Sequence, residues 1–423
     1  MERRIIKMPT IDVNDMTINY QLGTLLTDII GQATGEKVLA PVTNSQFVSV
    51  ATTLLQVKPD IVLDSISQVL SKTIFSIRPY SAKFRGLLVD SIKYGNHVRK
   101  LNVIDKPFRD DDRYQLTDGY SVDPWIVDKP EVLQTNYYGQ VAIEKALTRF
   151  RDQLNIAFSS ADEFGRFIAM VETNVSDMLE QERETVARNT VNNLIAGVVA
   201  QATADTPIAP ERVIYLVDVY NEETGQNLSA DDIKNPSYFP NFARWLFGYL
   251  KTVSDKLTNR TATHHQNFTI DHVDKIIMRH TPLERQKCYL FGPLLNTVSA
   301  NVLSTVFYDK YLQLMDHETV DFWQAFNSPM DIKAKPVYTD VDGTVTEAAE
   351  AITIENVLGV IFDEEAAGVT QIDEWTAASP FNPRAAYVTQ WWHMNLRYWN
   401  DFTEKCVVLL LDSAPTADAG GDA

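Results

Sequence analysis

An α+β fold is expected for this 423-residue chain, and three observations lead to it. Strand-like and helix-like segments fall into separate blocks instead of alternating. A single amphipathic stretch, residues 160–196, runs without a proline and with only Gly165 inside it. A long polar hairpin comes immediately before that stretch.

Taken in order, residues 11–55 are weakly patterned, with turn signals from Gly31 to Gly35, and read as an arm with short elements. Pro59 opens a helix in which Ile61, Val62, Ile66, Val69 and Leu70 share one face, and Pro79 ends it. Strand-like runs at 86–103 and 131–143 then flank a polar segment that starts at Arg109, Asp110, Asp111, Asp112 and Arg113 and continues past Tyr120 to Pro124 and Trp125. This is a hairpin with a charged tip. Its apolar residues are too sparse to stabilise it alone, so it must rest on something else.

Ser160 and Glu163 make a capping box, and Phe164, Phe167, Ile168, Val171, Val175, Met178 and Leu179 follow at helical spacing. Val186, Val191, Leu194, Ile195 and Val198 extend the stripe. At 1.5 Å per residue a single helix over 160–196 is about 55 Å long, more than a compact domain usually holds. Downstream, residues 213–217 read as a strand and 221–240 as a Gly/Pro/Asn-punctuated connection. An amphipathic helix carries Phe242, Leu246, Tyr249, Val253 and Leu257. A strand at 288–291, a helix around 295–314, a hairpin at 336–346 and strands at 357–362, 386–396 and 406–411 complete the pattern. The tail, 413–423, is rich in Ala, Gly and Asp and is expected to be disordered.

Composition narrows the function. With 45% hydrophobic residues the chain can bury a core, while a net charge of −18 argues against tight non-specific binding to phosphate backbones. Two cysteines, Cys288 and Cys406, are too few for a disulfide framework and point to a reducing cytoplasm. The basic start lacks the apolar region of a signal peptide, and no apolar run approaches the roughly 20 residues of a membrane helix. A soluble chain is expected.

Candidate chemistry is thin. Asp340, Asp342 and the Gly343-Thr344 pair after them resemble the first motif of haloacid-dehalogenase-type phosphatases, in which the first Asp attacks phosphate and the second is the general acid. Lys405 is the only lysine downstream, and an Asp-Gly dipeptide between two β-prone runs is the signal of a type I′ hairpin turn, which is the preferred reading. The same segment fails as an EF-hand, because Tyr338 and Ala349 fall where carboxylates are required. His264, His265, His272 and His280 have no i,i+4 pair and read as a solvated or interface cluster. The Asp110–Asp112 run reads as a solvated loop tip rather than a calcium site. Trp391, Trp392, Tyr398 and Trp399 have few cations nearby and suit a packed strand or subunit contact better than base stacking. No metal and no cofactor are expected.

Some stretches carry a family likeness: Tyr137-Tyr138-Gly139-Gln140, Leu154-Asn155-Ile156-Ala157-Phe158, Phe381-Asn382-Pro383-Arg384, Trp391-Trp392-His393 and the closing strand 407–411. In these, and in the order of arm, hairpin, long helix and mixed blocks, the chain resembles the HK97-fold major capsid proteins of tailed bacteriophages, most of all those of small short-tailed phages. The resemblance spans nearly the whole chain. It implies an N-terminal arm and helix over 1–83, an extended loop (E-loop) over 84–150, and a peripheral domain over 151–285 containing a spine helix at 160–201. It further implies an axial domain over 286–375 and a return to the peripheral domain over 376–412.

The function so implied is a non-enzymatic shell subunit that assembles with itself into hexamers and pentamers of an icosahedral head enclosing double-stranded DNA, without sequence-specific contact to it. The E-loop tip, with Arg109, Asp110, Asp111, Asp112, Arg113, Tyr120 and Trp125, is the expected inter-subunit contact. A portal protein at one vertex is a further expected partner, as is a separate scaffolding protein, since no long helical extension of the fused-scaffold kind is apparent. The expected location is the virion, after assembly in the host cytoplasm. An encapsulin-like nanocompartment is the alternative within the same fold, although such subunits are usually shorter.

Overall fold

The computed structural model describes residues 83–89, 98–104, 117–119, 121, 125, 127, 129–150, 161–270, 273–296 and 317–415. The expected arm, the helix opened by Pro59, the Ser160 cap and most of the helix at 295–314 lie outside them. So do residues 416–423 of the tail.

Along the chain, β1 (Leu88–Val89) is followed by β2 (Val98–Ile104), β3 (Glu131–Tyr137), β4 (Gln140–Phe150) and helix α1 (Ala161–Ala202). Then come β5 (Val213–Tyr215), α2 (Leu216–Thr224), α3 (Ala230–Lys234), α4 (Phe239–Thr258), β6 (Phe268–Ile270), β7 (Val273–Lys275) and β8 (Gln286–Phe291). The remainder is strand: β9 (Glu318–Val320), β10 (Ile332–Ala334), β11 (Val337–Thr339), β12 (Val345–Glu347), β13 (Ile352–Ile354), β14 (Val357–Asp363), β15 (Ala367–Ala378), β16 (Tyr387–Asn400) and β17 (Cys406–Leu410). The α+β expectation holds. α1 has 42 residues, about 63 Å at 1.5 Å each, and neither Gly165 nor Gly197 interrupts it.

The described residues fall into two compact units, one drawn from 141–182 and 372–395, the other from 82–140, 183–371 and 396 onward. In the first unit, β4 is joined to the 387–395 part of β16 by Thr148 Oγ1 and Thr389 Oγ1, 2.9 Å apart, and by Arg149, which donates to Gln390 Oε1 at 2.5 Å. Val388, Trp392 and Met394 are buried on alternate positions of β16, the period expected of a strand with one covered face.

In the second unit a five-stranded sheet runs β5-β17-β14-β8-β9. Every residue of β14 and β17 is buried, and both read as continuous apolar runs, as strands covered on both faces do. β14 pairs antiparallel with β17 and with β8, while β5 and β9 pair parallel at the outside. Leu216, Val217 and Tyr220 of α2 and Phe242, Leu246, Leu250, Val253 and Leu257 of α4 share one core with Leu290, Leu358, Ile361, Val407 and Leu409. That core therefore draws on residues before, within and after the 286–375 segment. At Gly359 an added Cβ would lie 2.7 Å from the Tyr289 carbonyl oxygen, so only glycine lets β14 approach β8 this closely.

Several expectations need correction. The apolar run 213–217 is a strand only to Tyr215; from Leu216 it is helical, and residues 221–240, read as a connection, contain the end of α2 and all of α3. A short apolar run does not distinguish strand from helix, and the deciding signals are Gly225 in the left-handed region at φ 67° and the Ser229–Asp232 capping box. The run 86–103 divides: Leu88 and Val89 pair with Val369 and Thr370 of β15, and the hairpin strand proper is β2. The run 131–143 likewise breaks at Tyr138-Gly139 into β3 and β4. β15 was not foreseen at all.

The 336–346 hairpin is present, but its turn is not type I′. Gly343 N–H donates to the Asp340 carbonyl (3.0 Å) and Gly343 alone takes positive φ, at 85°, so a type I turn is followed by a left-handed glycine. From the burial pattern we expect Leu409→Ala to lower the unfolding free energy by about 2–5 kcal/mol in urea titration, through cavity formation. Val345→Ala on the exposed hairpin should change it by less than about 0.5 kcal/mol.

Candidate inter-subunit surface

The hairpin β2–β3 has two faces of different chemistry. The register pairs Val103 with Val132 and Leu101 with Gln134 on one face, and Lys100 with Thr135 and Asn102 with Leu133 on the other. Burial follows this alternation. Leu101, Val103 and Val132 are 55%, 63% and 55% exposed, whereas Asn102 is buried. Beyond the paired strands, Trp125 and Val127 are also exposed, at 84% and 75%.

The covered face is held by charge. Lys100 Nζ donates to Asp401 Oδ2 at 2.8 Å and to Glu404 Oε1 at 2.5 Å, and lies 3.1 Å from Glu365 Oε2. Asp401 Oδ1 accepts from the Thr403 backbone N–H (2.9 Å) and hydroxyl (2.6 Å), which orients the carboxylate toward the lysine. Arg279 donates to Asn102 Oδ1 at 2.7 Å and lies 3.2 Å from Glu404, and Lys275 pairs with Glu131 at 2.5 Å. Three residues of the hairpin are thus tied to other parts of the second unit.

Burial opposes the charge on Lys100, but Asp401 and Glu404 outweigh it and hold the ammonium above the ordinary lysine range. Burial likewise pushes the Asp401 carboxyl up, and Lys100 and Thr403 more than reverse this, leaving it below the usual carboxylate value. At Glu404 burial prevails and the carboxyl is raised.

Of the residues expected at the hairpin tip, Arg109, Asp110, Asp111, Asp112, Arg113 and Tyr120 lie outside the described residues, and Trp125 is exposed. The Lys100 seat was missed. Its members come from three distant parts of the chain, and the only local signal was the charged run from Asp401 to Lys405 between two strands.

The other candidates resolve into structure. Asp342 Oδ1 accepts from Thr344 N–H at 2.9 Å and Asp340 accepts from the Thr346 hydroxyl, so both carboxylates serve the turn. Of the histidines read as a solvated or interface cluster, His265 is instead fully buried, its Nε2 2.6 Å from the Ile277 carbonyl and its Nδ1 3.1 Å from that of Thr263, and burial holds it below the ordinary histidine value. His280 is exposed and His272 lies outside the described residues. Trp392 is packed within its strand at 1% exposure, and Trp399 Nε1 donates to the Glu365 carbonyl at 3.3 Å. Among the described residues no group of His, Cys, Asp and Glu could hold a metal ion, and no helix is long and apolar enough to cross a membrane.

Lys100→Met should cost about 3–5 kcal/mol, because it leaves Asp401 buried without its cation. The sign of the pH dependence follows from the shifts. The raised Lys100 pKa contributes stability below the unfolded value of about 10.4, lost as pH rises through the folded one. The lowered Asp401 pKa contributes above about 3.9 and is lost in acid. Urea titrations across pH should show both limbs in the wild type, and Lys100→Met should weaken the alkaline one, to which the raised Tyr137, Tyr289 and Cys406 also contribute; an unchanged alkaline limb would refute the seat.

Solved structures similar to the chain come from bacteriophages and include capsids, at low identity. The capsid structure of Staphylococcus phage Andhra matches 81% of this chain and 87% of its own at 12% identity and a TM-score of 0.49. A chain from the structure of the head fiber and inner core protein of bacteriophage P68 matches 81% and 88% at 12% identity and 0.49. The mature capsid of bacteriophage PhiM1 matches 81% and 91% at 11% and 0.41. No curated protein matches. The model of the Phi29-like phage major capsid protein family, however, matches residues 24–409, nearly the whole chain. The chain belongs to that family and is a shell-forming subunit of a phage capsid.

Proposed function

We propose that copies of this chain join as hexamers and pentamers of an icosahedral head around double-stranded DNA, with the β2–β3 hairpin and its charged tip lying across a neighbouring subunit. The observation that carries this reading is the outer face of the hairpin. Leu101, Val103 and Val132 are displayed to solvent while the opposite face is held by Lys100 and Asn102. A two-stranded ribbon with an uncovered apolar face gains its missing burial from another molecule. Arg109, Asp110, Asp111, Asp112 and Arg113 at the tip then supply register by charge pairing, and Tyr120 and Trp125 supply contact area.

On this reading residues 84–150 are the E-loop and α1 is the spine helix. The axial part is the five-stranded sheet with α2 and α4, which draws on 213–258 and 406–410 in addition to the 286–375 segment. The net charge of −18 suits a wall that encloses DNA without adhering to it. A separate scaffolding protein directs curvature, a portal occupies one vertex, and assembly takes place in the host cytoplasm before the subunit resides in the virion. No catalytic step is needed.

Deleting residues 109–124 should leave a chain with wild-type circular dichroism that forms no shells under negative-stain microscopy; normal shells would overturn the assignment of the hairpin. The scaffold requirement is tested in the same way, since uniform shells from this chain alone would exclude it.

A further inference from the structure

Between β9 and β10 the chain makes a turn, residues 321–331, that no role described so far explains. Phe326 at its apex is 82% exposed and meets the Phe322 ring edge-on, with ring centroids 6.1 Å apart. The turn beneath it is braced on every side. Trp323 is fully buried; its backbone N–H donates to the Pro329 carbonyl at 3.0 Å and its indole N–H to the Val357 carbonyl at 2.9 Å. Gln324 accepts from Lys333 N–H at 2.6 Å and donates to the Lys333 carbonyl at 2.8 Å. Ala325 and Ser328 form a bridge. Asn192 of α1 donates to the Trp323 carbonyl at 2.9 Å, and the Arg188 guanidinium lies over the Phe322 ring, 4.1 Å from its centroid.

A large aromatic ring on a rigid turn is an unusual use of chain. The bracing orders the backbone in advance, so docking the ring costs little conformational entropy and gains the full value of its burial. The charge pattern selects the partner. Residues 322–330, Phe-Trp-Gln-Ala-Phe-Asn-Ser-Pro-Met, carry no charge and lie between Asp321, which pairs with Lys83, and Asp331, in a chain whose net charge is −18. Two identical subunits repel over most of their surfaces and can meet closely where neither is charged. Residues 321–331 themselves offer a polyanion no cation.

We propose that Phe326 is a second inter-subunit anchor, independent of the hairpin, which inserts into an apolar site on another copy of this chain. The proposal rests on the shell-forming role above and adds a specific contact to it.

Three full-length chains test it: wild type, Phe326→Ser and Phe326→Leu. Phe326→Ser should fold as wild type but need at least about tenfold more protein for half-maximal assembly by light scattering, the size expected of an interface anchor. Phe326→Leu, which keeps an apolar knob, should recover most of the loss. Assembly of Phe326→Ser at the wild-type concentration would overturn the proposal; so would its failure to fold, since an anchor exposed in the free subunit is not needed for folding. A photo-crosslinking phenylalanine analogue at 326, in mixtures of ¹⁴N- and ¹⁵N-labelled chains, should join light to heavy peptides of this sequence, read in shells and in concentrated soluble chain alike. Cross-links confined to one chain, or formed only with another protein, would overturn it. Failure of the wild type to assemble counts against the shell reading, while the cross-link pattern of the soluble chain still decides the role of Phe326.

Discussion

Lys100 reaches across 301 residues of sequence to Asp401, and that contact governs what the hairpin can present. An ammonium held among Asp401, Glu404 and Glu365 gives the ribbon one face that stays down. With that face committed, strand alternation dictates that Leu101, Val103 and Val132 point the other way. The exposed apolar row is therefore a consequence of the ion pair, and the ribbon presents that row already oriented. A hairpin free on both faces would have to be ordered at the moment of contact, at the expense of affinity.

Local signals were legible where one element satisfies itself. The stripe from Val175 to Val198 announced α1, and Phe242, Leu246, Val253 and Leu257 announced α4, because helical periodicity survives whatever the helix packs against. The Asp342-Gly343 pair announced a hairpin but not its turn type, which depends on whether Asp342 also takes positive φ, and it does not. Where tertiary context decides, the sequence was mute. Leu216 and Val217 look like the end of a strand until the core they share with α4 is known. β15 carries Asp373, Glu374 and an exposed Trp375 in its outer half, so nothing in its composition marked a strand of 12 residues. The Lys100 seat had no sequence signature, because its carboxylates are assembled by the fold.

Charge is partitioned with some care. Two fully buried cations are solvated by neutral groups: Lys405 donates to the Asn259 carbonyl (2.6 Å) and the Thr261 hydroxyl (3.0 Å), and Arg212 to Gln201 Oε1 (2.8 Å) and the Ile208 carbonyl (2.9 Å). Burial lowers the first to about 8 and the second to about 10.

The five-stranded sheet ends in β5 and β9, each only three residues long. Strands this short offer too few unpaired amides and carbonyls for a second sheet to grow onto them. Protein packed into a particle at very high local concentration is thereby denied the simplest route to a fibril, and growth is channelled into contacts that can close on themselves.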